Sequence, residues 1–235
     1  GDNGGSGWGG GWTFRNQANV VLTTTSGSRG CFVGSSLGNN NPAGSDGNGD
    51  GDINSLSTVK AWGLYSNSGD QVYAIRPFNG ALSIGQTLMW DMDNGNIASG
   101  QVVGLRLLGD PNDINSRIFE ARFVGGDSFY TLVGAPNQAT AVPFTREGLH
   151  FEYTLTSAST FSLSIERLSD GSISTYSGAN VNGNSIMALA FKNQFAGSGA
   201  AADGYLNNLA IIPEPGTMAL VGLGAVMLIR RGRRR

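Results

Sequence analysis

The chain has two lysines, one cysteine and one histidine among its 235 residues, and each scarcity removes a class of chemistry. With Cys31 alone there is neither an intramolecular disulfide framework nor a cysteine-based zinc site, so stability must come from packing. Cys31 stands in the apolar run Cys31-Phe32-Val33 and reads as a small buried hydrophobe. His150, between Leu149 and Phe151, has neither a Gly-x-Ser-x-Gly elbow nor a cysteine partner with an orienting group, so it reads as a structural or surface histidine on a strand. Charge is thin as well, at 14% of residues. Such a composition argues against long charged helices as the building material.

The net charge of −2 conceals an asymmetry, because Arg230, Arg231, Arg233, Arg234 and Arg235 fall in the last six positions. Without them and Glu214, ten positive charges face sixteen negative ones, about −6 for the body. An acidic body argues against nucleic acid, whose backbone is bound by clustered Lys and Arg that displace counterions. The chain begins with Gly1, which fits removal of an amino-terminal export signal and equally a chosen starting point.

What the sequence has in abundance is glycine, 37 residues, together with short segments of period two. Phe151, Tyr153 and Leu155 alternate with Glu152, Thr154 and Thr156; after Ser157-Ala158-Ser159, Phe161, Leu163 and Ile165 alternate with Ser162, Ser164 and Glu166. This predicts a hairpin with one buried face. Further strands are expected at 20–24, 31–34, 61–65, 71–76, 87–93, 102–108, 117–124, 129–133, 172–176, 186–191 and 205–212. Turn signals such as Asn79-Gly80, Asp93-Asn94-Gly95 and Asp170-Gly171 separate many of them. About a dozen short strands at this spacing indicate an all-β, two-sheet sandwich. The expected organisation is a glycine-rich segment over 1–18, a β-sandwich domain over 19–212 and a distinct tail over 213–235.

In that tail, Pro213-Glu214-Pro215 precedes an uncharged apolar run, 216–229, and the arginines follow. As a helix the run covers roughly 21 Å, short of the ~30 Å hydrocarbon core, so it is a marginal membrane anchor that needs thinning and snorkelling. The positive-inside rule keeps the arginines cytoplasmic and places the body across the membrane. These residues resemble the PEP-CTERM sorting signal: a Pro-Glu-Pro, a short hydrophobic helix and an arginine cluster. The resemblance implies export, residence at the inner membrane, cleavage near the motif by an exosortase, which is a membrane cysteine peptidase, and delivery to the cell surface or extracellular matrix.

The order of segments in the body resembles a laminin-G or concanavalin-like jelly roll, notably the hairpin at 149–168 and the closing strand from Asp203 to Ile211. The fold class implied is a jelly-roll sandwich with a carboxy-terminal hydrophobic helix. Concanavalin-like glucanases carry a Glu-x-Asp-x-Glu type motif on one strand, and Glu120, Glu147, Glu152 and Glu166 form none. Three functions emerge as expectations. The first is a non-catalytic, exported surface or matrix protein. The second is a carbohydrate-binding module for exopolysaccharide, with Trp62, Tyr65, Trp90 and Tyr130 as candidate sugar-stacking residues, against the competing reading that they are core. The third is a glycoside hydrolase with an atypical carboxylate pair around Asp91 and Glu120.

One loop suggests a cation. Asp46, Asn48, Asp50, Asp52 and Asn54 offer oxygen at every second position, with Ile53 where an EF-hand or dockerin loop has its apolar residue. Ser57 replaces the bidentate carboxylate of that pattern, so calcium affinity is expected in the weak extracellular range, roughly 10⁻⁴ to 10⁻³ M. A plain polar turn is the competing reading. Calcium at a hundredfold excess over its Kd should stabilise the fold by about 2.7 kcal/mol. Asp46→Ala with Asp50→Ala should remove the thermal shift and leave calcium-free stability nearly unchanged. No calorimetric heat and no shift at roughly 10⁻² M calcium, about ten times the weakest of those Kd values, would make the loop a polar connection only.

Overall fold

A computed structural model describes residues 7–22, 27–39, 53–54, 60–67 and 69–213. It contains fourteen strands: β1 (Thr13–Arg15), β2 (Arg29–Gly34), β3 (Ala61–Ser66), β4 (Gln71–Pro77), β5 (Thr87–Asn94), β6 (Val102–Leu108), β7 (Arg117–Val124), β8 (Phe129–Val133), β9 (Gln138–Pro143), β10 (Leu149–Leu155), β11 (Thr160–Arg167), β12 (Ile173–Ala179), β13 (Ala188–Gln194) and β14 (Gly204–Ile212). They form two antiparallel seven-stranded sheets, ordered β1-β4-β13-β6-β7-β8-β9 and β12-β11-β10-β5-β14-β3-β2. This is the two-sheet sandwich that the alternation predicts.

The hairpin of β10 and β11 shows how the pattern works. Leu149 pairs with Arg167 and Leu155 with Phe161, so the turn falls at 156–159. The register puts Phe151, Tyr153, Leu163 and Ile165 on the inner face, all at most 1% exposed. Trp90 of β5 stacks on Phe151 with centroids 4.8 Å apart. Across the gap, Phe119 of β7 meets Tyr153 at 4.9 Å and Phe161 at 4.8 Å, so aromatic contacts join the sheets directly. Tyr153 donates its buried hydroxyl to Asn180 Oδ1 at 2.8 Å, and burial pushes its phenol well above the usual value.

Several elements differ from expectation. No strand fills 20–22; Val21 makes a single bridge to Arg15, and residues 23–24 lie outside the described residues. The sandwich also draws on the segment 1–18, because β1 pairs with β4 and Trp8 bridges Phe78. Trp12 stacks on Trp62 at 4.6 Å, which gives this glycine-rich stretch its place on the core. β9 has little apolar patterning and forms by pairing with β8. β13 lies two residues later than expected, since Lys192 and Asn193 are buried despite their polarity. Among the described residues no helix is long and apolar enough to cross a membrane; the expected span at 216–229 lies outside them.

One glycine is required by close packing between strands. Gly104 of β6 lies between Lys192 of β13 and Arg122 of β7 in the ladder. A Cβ there would stand 2.5 Å from the Ala121 carbonyl oxygen and 2.7 Å from Arg122 Cβ. Gly104→Ala should therefore destabilise the fold by about 1–3 kcal/mol, an overpacking cost. A lowered urea midpoint checks it, and an unchanged midpoint contradicts this packing.

Candidate functional site

β7 sends Phe119, Ala121 and Phe123 into the core and turns Glu120 and Arg122 to the outer face of the first sheet. Glu120 sits opposite Arg106 of β6 and Val133 of β8, and Arg122 opposite Thr131 of β8. With only Gly104 between its strand and β7, Lys192 brings its Nζ to 2.5 Å from Glu120 Oε1. Arg106 donates from Nε to Glu120 Oε2 at 3.0 Å and from Nη1 to the Ile114 carbonyl at 2.8 Å. Its guanidinium also lies 5.4 Å from the centre of the Tyr73 ring. Arg117 Nη1 approaches Oε2 at 3.4 Å, and Arg122 Nη1 stands 3.7 Å from Oε1.

Four cations thus share one carboxylate. The side chains of Glu120 and Lys192 are 0% and 2% exposed, whereas those of Arg117 and Arg122 are 33% and 27% exposed. Burial alone would raise the Glu120 carboxyl, but Lys192 and Arg106 outweigh it and hold the group at about 2. Burial lowers the Lys192 ammonium, and Arg106 and Arg122 add to that effect against the pull of Glu120, giving about 8. Cations outnumber the single anion here, which holds Glu120 down and adds to the effect of burial on Lys192.

On the outer face of the second sheet, His150 Nδ1 lies 2.6 Å from Asp91 Oδ1 and Nε2 lies 3.6 Å from Glu152 Oε1. Asn208 donates from Nδ2 to the other Asp91 oxygen. The hydrogen bond to Asp91 raises the histidine above its ordinary value against the effect of burial. His150 therefore ties β10 to β5.

This placement corrects the hydrolase expectation. Asp91 faces outward from the second sheet and Glu120 outward from the first, with the core between them. No substrate can lie between the pair, as glycoside hydrolysis requires.

Of the four aromatic candidates, Trp90 is 0% and Tyr130 2% exposed, so both belong to the core. Tyr130 donates its hydroxyl to Asn94 Oδ1 at 2.8 Å. Trp62 and Tyr65 are half-buried, Trp62 beneath Trp12 and Tyr65 beside Phe32. Among the described residues the exposed aromatic is Phe129, 45% exposed. It was missed because Phe129 and Tyr130 are adjacent, and period two forces one of them in and the other out.

Of the cation-loop candidates, Asn54 is described: its Oδ1 accepts from the Ser36 backbone N–H at 3.0 Å and its Nδ2 donates to Ser35 Oγ at 2.9 Å. Ile53 is buried against Tyr205 on the outer face of the second sheet, where Asn207 donates to its carbonyl at 2.5 Å. Asp46, Asn48, Asp50 and Asp52 lie outside the described residues. Among the described residues, no group of three or more His, Cys, Asp or Glu side chains could hold a metal ion. Pro213 follows β14 directly; Glu214, Pro215 and the five terminal arginines lie outside the described residues.

The family model for the PEP-CTERM protein-sorting motif matches residues 212–235. The chain carries a PEP-CTERM sorting motif. The motif implies an exported protein, sorted to the cell surface by exosortase-type machinery. No curated protein matches the chain. Among solved structures, it is similar to arcelin-5, a lectin-like defense protein from Phaseolus vulgaris, with 8% identity over 85% of this chain and 97% of that one, TM-score 0.41. It is also similar to lectin II from Ulex europaeus, with 9% identity over 83% and 92%, TM-score 0.39. A Scytalido-glutamic peptidase matches at 12% identity over 57% and 72%, TM-score 0.35. Likenesses at this level support no inference of activity.

The acid limb of stability tests the buried cluster. An unfolded Glu120 titrates near 4.5 and the folded one near 2. Its contribution is complete above 4.5 and is lost as pH falls toward 2, a change of about 3 kcal/mol. Glu120→Gln should flatten that limb in urea titrations. At neutral pH it should cost about 3–5 kcal/mol, because Lys192 is left buried without its counter-charge.

Proposed function

We propose that this PEP-CTERM protein is a non-catalytic component of the cell surface or exopolysaccharide matrix. It is held at the inner membrane through 216–229 until an exosortase-type peptidase processes it. The observation that carries the reading is the sorting motif, whose first residue, Ile212, is also the last residue of β14. A calcium-stabilised loop at Asp46 to Asn54 is part of the same reading, supported by the docking of Ile53 against Tyr205.

A second reading, a carbohydrate-binding module, is favoured by one specific feature. An exposed aromatic, Phe129, lies on the same sheet face as two half-exposed arginines, the combination of flat apolar ring and polar donors that sugar recognition uses. A glycan array with and without calcium separates it from a purely structural role.

Replacing Arg230, Arg231, Arg233, Arg234 and Arg235 by Gln should weaken membrane retention and processing, since the charges that keep the tail cytoplasmic are gone. Fractionation of cells expressing both forms reads the outcome. Equal processing and equal location would overturn the anchor reading.

A further inference from the structure

We propose that the outer face of the first sheet along β7 and β8 binds an acidic polysaccharide, with Arg117 and Arg122 taking its carboxylates and the Phe129 ring lying under a sugar face. The inference rests on the carbohydrate-binding reading above and adds to it a site and a chemical class of glycan.

Charge carries the first part. Arg106, Arg117, Arg122 and Lys192 surround the single carboxylate of Glu120, leaving an excess of three positive charges on a body that is otherwise acidic. Arg106 and Lys192 are nearly buried, and the ends that reach solvent are those of Arg117 and Arg122. Arg122 stands 3.7 Å from Glu120, beyond hydrogen-bond reach, and its Nε is buried without a hydrogen-bond partner. Its ion pair with Glu120 is thus a long one, and its side chain is 27% exposed. A carboxylate arriving from solvent is what a planar guanidinium fork fits.

Shape carries the second part. Phe129 precedes Thr131 by two residues on β8 and so shares its face, and Thr131 pairs with Arg122. Thr131 in turn pairs with the exposed Ala139 of β9, so small side chains floor the strip beside the ring and the guanidinium. Asp127, exposed in the β7–β8 turn, bounds that end and holds carboxylates off it. A bulge between β6 and β7 turns Arg117 to the same face as Arg122, and both reach the one Glu120 carboxylate, at 3.4 and 3.7 Å, so their guanidiniums form one compact basic strip. A small anion engages the strip alone; an extended acidic glycan engages it and also runs along β8 to the Phe129 ring.

The test uses the full chain in non-ionic detergent and four probes: polygalacturonate, methyl galacturonate, neutral dextran and polyglutamate. Polygalacturonate should bind, more tightly than methyl galacturonate and less at high salt. Arg117→Gln with Arg122→Gln should weaken it about tenfold or more. Phe129→Ala should weaken it about threefold or more while leaving polyglutamate unchanged, because only a sugar stacks on the ring. Replacing the five terminal arginines by Gln should preserve both differences, which excludes the tail as the binding element. These substitutions fall on exposed or half-exposed side chains, and melting curves confirm that each variant is folded. Binding unaffected by the double arginine change, or insensitive to Phe129, overturns the proposal. Dextran binding that survives both changes also overturns it while leaving the broader carbohydrate-binding reading intact.

Discussion

The two-residue period of the strands is the constraint on which both the core and the charged cluster depend. On β7 it sends Phe119, Ala121 and Phe123 inward and Glu120 and Arg122 outward in the same five residues. A slip of one position would expose the rings and bury the charges, so the hydrophobic effect that closes the sandwich also fixes where the carboxylate stands. Pairing with β6, β8 and β13 then decides its company. Arg106, Lys192 and Arg122 reach Glu120 because each occupies an outward position in register with it or one step along the ladder.

A buried ion cluster is a poor source of net stability, since desolvating several charges offsets much of their attraction. What it supplies here is order. Removing Glu120 leaves Lys192 and Arg106 without their counter-charge in a setting with little water. The chain has no disulfide framework to impose such order, and its single cysteine packs partly buried against the core with its thiol pushed up by burial. Directional bonds to Glu120 and the Asp91–His150–Asn208 contacts hold the outer faces of the two sheets as stacked rings hold the inner ones.

Fold class was legible in the sequence because alternation is strong where one strand face is buried and the other open, as in β10 and β11. Elements that take their order from a neighbour were not legible: β1 is three residues in a glycine-rich stretch, and β9 carries little apolar pattern. The site was harder to see. Net charge gave an acidic body, yet Arg106, Arg117, Arg122 and Lys192 come from three strands up to 86 positions apart in sequence, and only strand order assembles them. Among the aromatics, chemical type pointed to Trp90 and Tyr130, but parity decides exposure, and it favoured Phe129. The sorting motif was readable in full because its parts are contiguous.

β14 runs to Ile212, and Pro213-Glu214-Pro215 follows with no spacer. The strand is not an edge, since β5 and β3 both pair with it, and it belongs to the second sheet. The charged strip on β7 and β8 faces outward from the first sheet, across the whole thickness of the core. The strand that leads to the sorting motif and the face that would meet a glycan therefore belong to different sheets. Under the proposed function, tethering through the motif after β14 and loading of a glycan on the first sheet would draw on different sheets, so cargo and carrier need not take turns.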